Sequence, residues 1–151
     1  MKYFTFKELT KSATAIRRGI NNSPSGLVMA NLTALVCNVL DPLREAWGAP
    51  IRVTSGYRCE KLNRAVGGAS KSQHVKGQAA DITTMEDTPA RNRKLLEKVL
   101  ELGLPFDQLI WEYGTDTGPD WIHVSYAPGG RRQVLRARRV DGKTVYERMR
   151  L

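Results

Sequence analysis

Cysteine is scarce in this chain. Cys37 and Cys59 are the only two, 22 positions apart and without a CxxC spacing. A stapled disulfide scaffold is therefore not expected, and both read as free thiols, Cys37 as a small apolar residue on a helix. Acidic residues are short as well: 15 Asp and Glu face 24 Lys and Arg, leaving a net charge of +9. That surplus favours polyanionic partners without choosing among nucleic acid, anionic membranes and acidic wall polymers. No uninterrupted apolar run approaches the ~18–20 residues of a membrane span, which argues against a membrane protein. The N-terminus, Met1 to Glu8, has no apolar block of signal-peptide length, so synthesis in a cytoplasm is expected.

What is present is globular composition, 41% hydrophobic and 26% charged over 151 residues. A chain of this length buries roughly 70% of its unfolded surface, enough for one cored domain over residues 1–151. One or two short helices are expected from Phe6 to about Arg18, before a turn cluster at Asn21–Gly26. Met29, Leu32, Leu35, Val36, Val39, Leu40, Leu43 and Trp47 then recur at helical steps. They predict an amphipathic helix of about five turns, with Pro42 disturbing its last turns. Strands are expected at Ile51–Thr54, Ala79–Thr83, Phe106–Trp111 and Trp121–Tyr126. A short helix is read over 59–66, and a second opens at Thr88-Pro89 and runs to Gly103. Gln133–Ala137 and Thr144–Glu147 flank Asp141-Gly142 as a hairpin. The class is α+β, a small antiparallel sheet packed against N-terminal and middle helices.

The only two histidines sit in telling places. His74 lies in Ser72-Gln73-His74-Val75-Lys76-Gly77-Gln78-Ala79-Ala80-Asp81, where small residues let a loop hand one ligand to a strand. His123 lies in Asp120-Trp121-Ile122-His123-Val124-Ser125, inside an apolar strand where an imidazole needs a partner. Two imidazoles and a carboxylate make a three-ligand zinc set that leaves a fourth position for water, the arrangement of catalytic zinc. The bland alternative is a hydrogen-bonded core histidine in each case.

Ser55-Gly56-Tyr57-Arg58, Asn63, Val66-Gly67-Gly68, Ser72-x-His74-x-x-Gly77-x-Ala79-x-Asp81 and Trp121-Ile122-His123-Val124-Ser125 occur in that order. Together they resemble the zinc D-Ala-D-Ala carboxypeptidase and L-alanyl-D-glutamate endopeptidase family of peptidoglycan metallopeptidases, in its phage endolysin-like branch. The resemblance covers roughly residues 50–126 and implies the fold shared by hedgehog and D-Ala-D-Ala peptidase domains. It implies one zinc ion held by His74, Asp81 and His123, and hydrolysis of a peptide bond in peptidoglycan stem peptides. Asp120, three before the last ligand, is then the general base for the attacking water, with Glu112 in reserve. Arg58 is the oxyanion stabiliser, since a guanidinium stays charged and offers fixed donors. Ser72 and Gln73 contact substrate or hold His74 in place.

A non-catalytic zinc domain of the same fold, binding the wall or a protein, is the alternative. Nucleic acid is disfavoured because no recognised binding motif accompanies the charge. Five arginines between Arg131 and Arg139 form either a solvated face or a clamp on an anionic wall polymer. A monomer that does not bind membranes is expected. With no export signal, the chain reaches the wall if it is phage-derived and released by a holin.

Overall fold

Ser25 opens the longest helical stretch by accepting a hydrogen bond from the Val28 amide. In this computed structural model, which describes residues 1–150, helix α3 (Gly26–Leu35) passes into a π-helical segment (Val36–Leu40) and on into α4 (Asp41–Trp47). Leu151, the end of the expected 1–151 domain, lies outside the described residues. Pro42 has no amide hydrogen for the Asn38 carbonyl, and its ring crowds that carbonyl. The helix accommodates it one turn early by widening, so that the Asp41 amide reaches back to Val36. The disturbance thus falls in the middle of the helix and not in its last turns. Cys37 is on this segment but faces out, exposed.

The continuous stretch from Gly26 to Trp47 corrects one expectation. Its 22 residues, with mean hydropathy 1.5, have the length and composition of a membrane span. Its apolar face, Leu32, Leu35, Val36, Val39, Leu40 and Leu43, is fully buried against the sheet and forms the centre of the domain core. Isolated polar residues such as Asn31, Thr33 and Asn38 break the run in the sequence while leaving the average high.

Two short helices precede it, α1 (Phe6–Thr10) and α2 (Ala13–Arg18), each capped by a hydroxyl from Thr5 or Ser12. After β1 (Ile51–Ser55) come α5 (Glu60–Ala65), a 3₁₀ turn (Gln73–Lys76), β2 (Ala79–Thr84) and α6 (Pro89–Glu101). Thr88 caps α6 and Pro89 fills its first turn, as their order in the sequence predicts. The remaining strands are β3 (Gln108–Glu112), β4 (Trp121–Ser125), β5 (Gln133–Val140) and β6 (Lys143–Arg148).

The six strands form one sheet in the order β1-β2-β4-β3-β5-β6. Every pairing is antiparallel except β3 with β5, which is parallel. All six expected strands join this one sheet, and the departure from expectation is that it is mixed and not purely antiparallel. The parallel pair arises because the chain leaves β4 and crosses the start of β3 before turning back as β5. Asp107, just ahead of β3, holds that crossing. Its carboxylate accepts from the Arg131 amide and, on both oxygens, from the Arg131 guanidinium at 2.8 and 3.0 Å, and the Gln133 amide bonds its carbonyl.

The Arg131 hydrogen bonds hold the Asp107 carboxyl well below the usual range, outweighing its burial. A depressed carboxylate contributes its full stabilisation above the ordinary pKa of ~4, and this is lost progressively as the pH falls from there through the lower native pKa. Asp107→Asn is expected to cost about 2 kcal/mol at pH 7, a figure that discounts the solvent-exposed guanidinium. Urea midpoints of the two proteins should start to draw together as the pH falls below about 4, and meet only once it has passed the depressed native pKa. A gap that stays constant with pH would refute the ionic clamp.

Strand alternation divides the sheet. Ala80, Ile82, Leu109, Trp111, Ile122 and Val124 point to the core under the long helix and α6. Asp81, Ile110, Glu112 and His123 occupy the opposite face, and there the polar residues gather.

Candidate metal centre

Asp81 on β2 and His123 on β4 are direct cross-strand partners, so their side chains rise side by side from one face. His74 comes from the 3₁₀ turn. Ser72 Oγ accepts from the His74 amide and caps that turn, and Gly77, at φ +72°, ends it in the left-handed region. Each ligand is thus delivered by a separate local device.

The His74 ring is oriented by a carbonyl. Its Nδ1 lies 2.8 Å from the Gly56 oxygen, which only accepts, so Nδ1 carries a proton and Nε2 is the atom turned towards the site. Gly56 is required here because a Cβ would lie 2.1 Å from the Leu9 carbonyl oxygen. Helix α1 therefore packs directly behind the loop that aims His74, and the Tyr57 amide bonds that same Leu9 carbonyl.

His74 Nε2 and His123 Nδ1 both lie 3.3 Å from Asp81 Oδ1. All three ligand atoms fall within 4.8 Å of one another. Asp81 Oδ1 is buried yet forms no aligned hydrogen bond, despite two nitrogens so near. Converging donors without hydrogen-bond alignment are what a metal site requires. Ligands held ~2.0–2.1 Å from a tetrahedral zinc stand roughly 3.3–3.4 Å apart, and the observed separations match that edge. The set of two imidazoles and one carboxylate fits zinc, and three protein ligands leave a position open. Burial alone would raise the Asp81 carboxyl, but the flanking imidazoles outweigh it and hold the group far below its ordinary range.

Arg58 lies within electrostatic reach of Asp81. Its guanidinium donates to Ser55 Oγ at 3.4 Å, while Nε is buried without a partner. Ser55 faces Asp81 across a bulge at Thr54 that shifts the register of β1. Burial lowers the Arg58 pKa and the charge of Asp81 opposes that.

The two acids expected as base candidates part company. Asp120 immediately precedes β4 and is exposed. Its backbone is pinned, the amide to the Glu112 carbonyl and the carbonyl to Asn92 Nδ2. Its carboxylate makes no hydrogen bond or ion pair among the described residues. Glu112 is buried at 8% exposure, a diagonal neighbour of His123 on the ligand face, since Ile110 pairs with His123 and Glu112 with Trp121. Burial pushes its carboxyl up to about 7, with His123 opposing and Asp81 adding to the rise.

Ser72 and Gln73 are placed as supports. Ser72 caps the His74 turn, and Gln73 Nε2 donates to Asp107 Oδ2 at 2.9 Å, leaving its Oε1 buried and unpartnered. Sequence reasoning missed the Gly56 carbonyl, Asp107 and Asn92. Asn92 ties strand β2 to the loop before β4 by accepting from Thr84 and donating to Asp87, Pro119 and Asp120. A buried asparagine on an apolar helix face was the one signal for it. The clustered arginines largely have partners within the chain: Arg131 on Asp107, Arg136 on Asp116 and over Trp111, Arg138 on Glu147.

A family model described as Peptidase M15 matches residues 2–125, more than four-fifths of the chain. No curated protein sequence matches it. The matched region ends with β4, so the β5–β6 hairpin lies beyond it.

Proposed function

The chain belongs to the M15 peptidase family, a family of zinc metallopeptidases, and on that premise we propose that it hydrolyses a peptide bond in peptidoglycan stem peptides. The bond is either the terminal D-Ala-D-Ala, in a carboxypeptidase, or L-Ala-D-Glu, in an endopeptidase. The observation that carries this reading is the convergence of His74 Nε2, Asp81 Oδ1 and His123 Nδ1 beside a buried acid on one sheet face. Those three residues would hold zinc, which when bound lowers the pKa of water and polarises a carbonyl.

The remaining work falls to the chain's own side chains. Glu112 takes the base role that the sequence motif gives to Asp120. It is buried on the ligand face as the diagonal neighbour of His123, where its carboxylate would accept a proton from the attacking water. The same group then returns that proton to the departing amine. Arg58, with an unpartnered Nε–H, stabilises negative charge growing on the scissile carbonyl oxygen. Ser72 and Gln73 keep the His74 turn rigid, so the ligand geometry survives substrate entry.

The +9 charge supports attraction to an anionic wall polymer, although the paired Arg131, Arg136 and Arg138 are the poorest candidates for that contact. Access to the wall after cytoplasmic synthesis is proposed to follow holin-type release. The test is mass spectrometry of purified peptidoglycan digested by the zinc-loaded protein, with a chelated control. New mid-stem termini identify an endopeptidase, and loss of a single D-Ala identifies a carboxypeptidase. Zinc-loaded protein that leaves several wall chemistries uncut would overturn the reading in favour of a binding domain.

A further inference from the structure

The sheet registers define two rows across the ligand face. One runs Asp81, His123, Ile110, Leu135, Arg148 through β2, β4, β3, β5 and β6. The adjacent row runs Trp121, Glu112, Ala137, Tyr146. The metal ligands and the proposed base therefore share a continuous surface with the outermost strand, β6. Between them the floor is apolar: Ile110 is buried, Leu135 half-buried and Ala137 fully buried.

The burial of Ala137 is informative because β6, its neighbour, is exposed along its whole length. The residues flanking Ala137 in its row are Glu112 and Tyr146, and side chains leaning across a small alanine would cover it. The electrostatics agree with that placement. Although the Tyr146 side chain is exposed overall, partial burial pushes its phenol up, and the charges of Glu112, Tyr113 and Asp81 push it in the same direction.

Charge on the hairpin is unequally satisfied. On the core-side face, Arg136 pairs with Asp116 at 2.8 Å and Arg138 with Glu147 at 3.4 Å. Arg148, on the ligand face, is exposed and has no carboxylate partner among the described residues. An apolar floor running from a metal-ligand cluster to a free guanidinium is the complement of a peptide with an anionic group some residues from its reacting bond. Three strand spacings separate His123 from Arg148, about 14 Å. An extended peptide spans ~3.3 Å per residue, so with the reach of the arginine side chain the gap covers about two to four residues.

We propose that the β5–β6 hairpin is a substrate ledge, on which Arg148 binds a free carboxylate of the peptide and the Tyr146 ring supports its backbone. The proposal rests on the peptidase reading above and adds a specificity element outside the residues that the family match covers. Arg148 acts on ground-state binding and is far from the reacting atoms.

The test uses the full-length zinc-loaded protein, a synthetic stem pentapeptide with free carboxylates and the same peptide fully amidated. Wild type should prefer the acid form. Arg148→Gln should lower kcat/KM for the acid peptide about tenfold, through KM, and leave the amidated peptide unchanged. Arg148→Lys should restore most of the loss. Tyr146→Ala should raise KM for both peptides alike. Equal effects of Arg148→Gln on the two peptides, or no preference in wild type, would overturn the ledge. Calorimetric binding of both peptides to the zinc-loaded Glu112→Gln protein separates the two ideas. Acid-selective binding that needs Arg148, without turnover in wild type, keeps the ledge and sinks the peptidase reading. Turnover without acid selectivity does the reverse.

Discussion

Glu112→Gln is expected to reduce hydrolysis by about three orders of magnitude while zinc remains bound, because only the proton acceptor is removed. Asp120→Asn should stay within a few-fold of wild type, since that carboxylate is exposed and bonded to nothing among the described residues. The pair of variants decides between the two acids, and an inactive Asp120→Asn beside an active Glu112→Gln would reverse the assignment. A second readout separates the Glu112 variant from simple misfolding. In the metal-free protein the Glu112 carboxyl is pushed up to about 7 by burial. Between roughly pH 4.5 and 7 the unfolded chain gives up this proton before the folded protein does, so stability falls as the pH rises through that window. Glutamine removes the penalty. Chelated Glu112→Gln should therefore be the more stable protein at neutral pH, by up to about 3 kcal/mol, with the advantage gone below about pH 4.5. A catalytically dead variant with higher stability identifies a group held for chemistry at a cost to the fold.

The second large effect concerns Asp81. Its Oδ1 is the common neighbour of both imidazoles at 3.3 Å, so Asp81→Ala removes one ligand and the element that brings the other two together. Zinc stoichiometry by atomic absorption should fall from one per chain to near zero, with activity lost in parallel. Added zinc should raise the wild-type melting temperature and leave that of the variant unmoved. At a free concentration a thousand times the dissociation constant, the wild-type gain is roughly 4 kcal/mol. Retention of stoichiometric zinc by Asp81→Ala would mean that the metal sits elsewhere.

The two acids are hard to rank from the sequence for a physical reason. Asp120 stands at the motif position, three residues before His123, and a motif records spacing along the chain. Whether a carboxylate reaches the ligands depends on which sheet face it occupies and whether water surrounds it. Glu112 is 11 positions from His123 in sequence but becomes its diagonal neighbour once β3 pairs with β4. The same limit applies to Gly56, whose carbonyl aims His74 only because helix α1 packs behind it.

By itself the sequence determined the α+β class, most of the elements and the three candidate ligands. The class and the elements follow from local physics, apolar periodicity and capping residues such as Thr88-Pro89, whereas the three ligands follow from the resemblance of the ordered motifs to a peptidase family. Only the tertiary structure decided the parallel β3–β5 pair, the π-helical widening before Pro42, the partners of the clustered arginines and the acid beside the ligands. Each of those depends on strand register and burial, which are set by contacts between segments distant along the chain. Local pattern fixes what a residue can do, and packing fixes which neighbours it does it with.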